Sequence, residues 1–96
     1  MRRRRNPEII AGRVNADGSI AAGDGFTIAK EAGAGSYTIM FSVGFRVVGF
    51  TLSFLSSNTG YYGVTNERTI SVQTVSAPGG GGVNIPFSFV AAGVQQ

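Results

Sequence analysis

The chain has no histidine and no cysteine. That removes the imidazole base, the thiolate nucleophile, soft-ligand zinc sites and disulfide frameworks together. Five acids remain: Glu8, Asp17, Asp24, Glu31 and Glu67. A paired-carboxylate site needs two of them converging on one pocket. Asp17 and Asp24 lie near each other in sequence, but both sit in turn-like text, where Asp serves turn chemistry. The serines have no base to activate them. The single lysine, Lys30, closes a strand-like run beside Glu31. The chemistry expected is therefore binding rather than catalysis, with no metal and no cofactor.

Three groups of residues could bind. The first is the run Arg2, Arg3, Arg4 and Arg5, followed by Ile9 and Ile10. The net charge of +3 is concentrated there: beyond the run, four basic residues meet five acids, 4 − 5 = −1. Such a run is a solvated tail, a contact with acidic protein, or a phosphate contact. No aromatic residue interleaves with the arginines and the near-neutral body offers no basic groove, so nucleic acid is the weaker reading. A protein partner, clamped by the arm and residues 8–14, is preferred. The second group is Tyr61 and Tyr62, which follow a turn-like S-S-N-T-G. Paired rings beside a loop can stack on a sugar or anchor a protein, although strand alternation alone would put one ring inside and one outside. The third is Met40, Leu55 and Val90, apolar residues opposite the expected inward faces and so candidates for a subunit interface.

These residues must be positioned by strands. Ninety-six residues make one domain, assigned to residues 9–96 behind an arm over 1–8. Apolar residues recur with period two: Phe26 and Ile28; Tyr37, Ile39 and Phe41; Phe50, Leu52 and Phe54; Ile70 and Val72; and a long last run with Val83, Ile85, Phe87, Phe89 and Ala91. Turn text separates them at residues 15–18, 32–36, 56–60 and 77–82. The spacing predicts an all-β domain, an antiparallel β-sandwich or jelly roll of about seven or eight strands. Pro86 falls inside the last predicted strand, where it marks an edge, a bulge or a position facing another chain. The glycines at 79–82 read as a hairpin loop; no lysine follows them and no helix starts there, so they are no phosphate cradle.

Only 14% of the residues are charged, well below the roughly 25% of an ordinary soluble domain. Part of the surface is therefore expected to lie against other chains. Asn6, Pro7 and Glu8 follow the arginines where a secretory signal would need an apolar stretch, and no apolar run approaches a membrane span. The expectation is no signal peptide, no membrane, and a chain made in a cytoplasm.

The order G-R-V-N-A-D-G-S-I-A-A-G-D-G-F-T-I at residues 12–28, G-S-Y-T-I-M-F at 35–41 and F-S-F-V-A-A-G at 87–93 resembles small β-sandwich domains of bacteriophage virion proteins. These include C-terminal modules of tail fibres and some head-decoration proteins. The resemblance spans residues 12–93 and rests on turn glycines and core aromatics. It implies a structural or adhesive virion role, self-association with a trimer favoured, and attachment to a major capsid or other virion protein. It carries over no catalytic residue. Tail-fibre modules of this kind follow a long shaft, and here the domain follows the arginines directly. That favours a capsid-decorating or head-fibre protein, with a receptor- or glycan-binding tip as the alternative and a nucleic-acid-binding accessory as a further one.

Overall fold

The computed structural model describes residues 8–54, 59–76 and 81–95. They form eight strands: β1 (Glu8–Val14), β2 (Ile20–Ala22), β3 (Phe26–Lys30), β4 (Ser36–Phe41), β5 (Phe45–Ser53), β6 (Thr59–Asn66), β7 (Thr69–Val75) and β8 (Phe87–Gln95). All pairings are antiparallel. One sheet, A, runs β2-β1-β8-β5; the other, B, runs β3-β4-β7-β6. The two pack face to face as a β-sandwich, as the periodicity predicts. Hairpins join β1 to β2, β3 to β4 and β6 to β7 within a sheet; every other connection changes sheet.

The first hairpin shows why the sequence turns where it does. Gly18 takes a φ of 92°, which glycine adopts without steric cost. Its N–H donates to Asn15 O at 2.9 Å, and Asn15 N–H donates to Ser19 O at 2.8 Å. The Asp17 carboxylate accepts from both Ser19 N–H and the Ser19 hydroxyl. Those hydrogen bonds hold its pKa below the usual carboxylate value.

The core lies between the sheets. Phe26, Tyr37, Ile39, Phe41, Ile70 and Val72 face it from sheet B, and Val14, Phe45, Phe87, Phe89 and Ala91 from sheet A. Alternation fixes the register, because a slip of one residue would turn every ring to solvent. Each fully buried ring contributes about 1.5–3 kcal/mol. The Tyr37 hydroxyl reaches the first hairpin and donates to Ala16 O at 2.7 Å. Burial raises its pKa above the ordinary 10.0.

Two expectations are corrected. The predicted last strand over residues 83–93 begins only at Phe87 and continues to Gln95; Val83, Asn84, Ile85 and Pro86 are irregular. The reason is Pro86. β8 is a central strand, bonded to β1 on one side and β5 on the other, and proline has no N–H for either ladder. So Pro86 marks the start of the strand rather than an edge or bulge within it. Thr59 and Gly60, read as part of a turn, belong to β6; Ser56, Ser57 and Asn58 lie outside the described residues. Of the glycine run, Gly82 bridges to Val75. A Cβ there would stand 2.2 Å from Ala34 O, so this position needs glycine for a close approach.

Candidate functional site: the two outer faces

A sandwich has two outer faces, and here their chemistry differs. On sheet A, β1, β8 and β5 put small and apolar residues outward in register. Ile9 lies opposite Ala92, and Ala92 opposite Gly49. In the next row Ala11 lies opposite Val90, and Val90 opposite Thr51. Val48 belongs to the irregularity between Val47 and Gly49, where the ladder shifts. Ile9 is 64% exposed, Val48 65% and Val90 44%. The charged side chains in these outward rows are Arg13 on β1 and Arg46 on β5, at the margins; Arg46 approaches Glu67 at 3.9 Å in an exposed ion pair.

Sheet B turns hydroxyls and an amide outward. Tyr61, Gln73 and Ser36 form one row across β6, β7 and β4; Gly63, Ser71, Thr38 and Ala29 form the next. A shallow groove follows these rows, with Tyr61 and Glu31 among its lining residues. Its polar groups are tied together. Ser36 Oγ donates to Gln73 Oε1 at 2.8 Å. Gln73 Nε2 donates to Ala34 O and Thr74 O. Thr38 Oγ1 donates to Glu31 Oε2 at 2.7 Å, and Ser71 Oγ to Gly63 O at 3.3 Å. Lys30 Nζ is held by Glu31 O and Gly33 O in the neighbouring turn.

The residues singled out from sequence are distributed as follows. Ile9 and Val90 share the outer face of sheet A. Ile10, beside Ile9 in sequence, turns the other way and packs against the core. Met40 is exposed, but on the outer face of sheet B, in register with Thr27 and Thr69. It therefore shares no patch with Val90. Tyr61 and Tyr62 are separated by alternation. The Tyr62 hydroxyl donates to Phe50 O at 3.1 Å, and its ring packs edge-on against Phe50 with centroids 4.7 Å apart. Tyr62 thus ties β6 to the edge of sheet A, and Tyr61 is left facing solvent. Arg2, Arg3, Arg4, Arg5 and Leu55 lie outside the described residues.

Sequence reasoning did not single out Ala11, Val48 and Ala92 on one face, or Glu31, Thr38, Ser71 and Gln73 on the other. For the first set the available signal was the lack of polar residues at alternate positions of 8–14 and 87–95. Among the described residues, no group of three or more His, Cys, Asp or Glu could hold a metal, and no helix is long and apolar enough to cross a membrane. Comparison with protein-family models, curated proteins and solved structures finds no match for the chain.

Proposed function

We propose that the chain is a non-enzymatic structural protein of a phage-type virion that self-associates through the outer face of sheet A, as a trimer, and attaches to the assembled shell through its arginine arm. The observation that supports this is the nearly charge-free face of Ile9, Ala11, Val48, Val90 and Ala92. A sheet with a solvated outer face alternates apolar-in with polar-out. Here the central outward positions are apolar, and contiguous exposed apolar surface marks an interaction site. Among the described residues, charge on this face is confined to Arg13 and Arg46 at the margins, the apolar-centre, polar-rim layout of protein interfaces. The face sets no charge requirement on its partner, which suits a second copy of the same chain. The trimer and the virion setting come from the resemblance noted above.

The absence of a catalytic role rests on composition and placement. Asp17 is engaged by the Ser19 hairpin, Glu31 accepts from Thr38, and Glu67 approaches Arg46. Glu8 and Asp24 line one open surface groove, where the hydroxyl beside them, Ser42 Oγ, donates to Gly25 O; the chain has no histidine or cysteine to join them as base or nucleophile. The test is purification of particles through a density gradient followed by quantitative mass spectrometry. The proposal expects the chain in fixed stoichiometry with the major shell protein. Particles that carry none of it would overturn the virion assignment.

A further inference from the structure

We infer that the outer face of sheet B is a binding groove for a neutral oligosaccharide, with Tyr61 as the stacking platform and Glu31, Thr38, Ser36 and Ser71 as hydrogen-bond acceptors. The argument starts from where the hydroxyl protons point. Ser36 gives its proton to Gln73 Oε1, Thr38 to Glu31 Oε2, and Ser71 to Gly63 O. Each acceptor is a carbonyl or carboxylate oxygen, so the direction of donation is forced. The hydroxyls therefore present lone pairs to the groove, and Glu31 adds its second carboxylate oxygen. Gln73 is locked as well, with its amide nitrogen on two backbone carbonyls. The result is a pre-ordered row of acceptors, which suits a ligand rich in donors.

Charge narrows the class. Glu31 is the one ionisable carboxylate of the groove lining, and Lys30 Nζ is held in the adjacent turn. Among the described residues that line the groove, a polyanion such as nucleic acid would meet a carboxylate and no cationic side chain. A polycation would meet one carboxylate at one end. A polyol supplies many neutral donors and needs no counter-charge. Shape agrees. Tyr61 stands two strands from Thr38, and the Glu31 carboxylate lies against Thr38 Oγ1 at 2.7 Å, so the recognition groups span about 10 Å at ordinary strand spacing, the reach of a disaccharide. Between them the floor is small: Gly63, Ser71, Thr38 and Ala29. Tyr61, 64% exposed, offers a π-face to the C–H face of a sugar ring; Tyr62 also borders the groove, but its ring packs edge-on against Phe50 and its hydroxyl donates to Phe50 O. A groove this open binds weakly at a single site. Several copies displayed together raise the effective affinity, and this face points away from the apolar face of sheet A. Binding by one domain does not depend on self-association.

The experiment is an array of neutral oligosaccharides, with hits confirmed by ¹H–¹⁵N NMR titration of the full chain. The inference expects at least one neutral glycan to bind with a Kd of about 1 mM or tighter, shifting the amides of Thr38, Gly63, Ser71 and Gln73. Tyr61→Ala should weaken it about tenfold and Thr38→Val should weaken it measurably, while Tyr62→Phe leaves it within about twofold. Identical amide dispersion in the variants separates lost binding from lost folding. No neutral glycan bound, a hit whose shifts map elsewhere, or tri-lysine peptide shifting the same amides in place of any glycan would overturn it.

Discussion

Phe26 of β3 meets Phe89 of β8 edge to face, with ring centroids 4.8 Å apart and planes at 90°. The two strands belong to opposite sheets, so this contact spans the sandwich. Phe89 also touches Phe41 from sheet B and Phe50 from its own sheet. Edge-to-face pairs add about 0.5–1.5 kcal/mol beyond their buried area.

Phe89→Ala should therefore destabilise the fold by about 3–5 kcal/mol, the range for a buried ring that leaves a cavity. Phe41→Ala should fall in the same range, because Phe41 packs on both Phe45 and Phe89. Denaturant unfolding monitored by circular dichroism measures both. A loss below about 1 kcal/mol at either site would contradict the packing described.

The glycine run offers a paired contrast. A Cβ at Gly82 would stand 2.2 Å from Ala34 O and 2.6 Å from Gln73 Nε2, whereas one at Gly81 would meet nothing within 4 Å. Gly82→Ala should cost about 1–3 kcal/mol. Gly81→Ala should be neutral or stabilise by up to about 1 kcal/mol, by restricting the unfolded chain. Thermal melts of the two variants side by side give the answer.

Much of this was legible in the sequence, and the exceptions have physical causes. Strands β3, β4 and β7 declared themselves because each is buried on one face only, which writes apolar residues at every second position. Residues 45–48 did not. Val47 and Val48 sit where the ladder shifts, and there the alternation breaks. β6 carries Gly60 and Gly63, and residues 61–66 are exposed. Pairing with β7 makes it a strand, and pairing leaves no mark in a hydropathy pattern. The outer faces were half visible. Val90 stood out as a misplaced apolar residue and Ile9 as part of the arm's contact, but only the register shows that they share a surface and that Met40 does not. Thr38, Ser71 and Gln73 look like ordinary solvated positions until their hydrogen bonds are traced.

Tyr37 supplies a pH dependence. Burial raises its folded pKa above 10.0, so the folded state keeps the proton where the unfolded state loses it. Its contribution to stability is complete below pH 10.0 and is lost as pH rises from there through the folded pKa. Urea unfolding between pH 9 and about 11.5 should show stability falling, with a shallower fall in Tyr37→Phe. An equal slope in both proteins would contradict the burial of this phenol.

Removing Arg2, Arg3, Arg4 and Arg5 should leave the β-fold intact, because all eight strands lie beyond them. Attachment to the shell should weaken. Guanidinium groups bind carboxylates through several directed donors, so wild-type attachment should tolerate moderate salt better than a purely screened attraction would. Particle occupancy after salt washes is the readout. Unchanged occupancy would make the arm a passenger, and lost DNA binding with retained occupancy would assign it to nucleic acid.

The central claim is that the outer face of sheet A is an interface between copies. Sedimentation equilibrium of the purified chain, compared with Val90→Lys, tests it most directly. Val90 is at the centre of that face and its side chain points away from the core, so lysine there places a charge in the contact without disturbing the fold. The account predicts a trimer for the wild-type chain and a folded monomer for Val90→Lys. A wild-type chain that stays monomeric across the concentration range, or a variant that assembles as the wild type does, would contradict it.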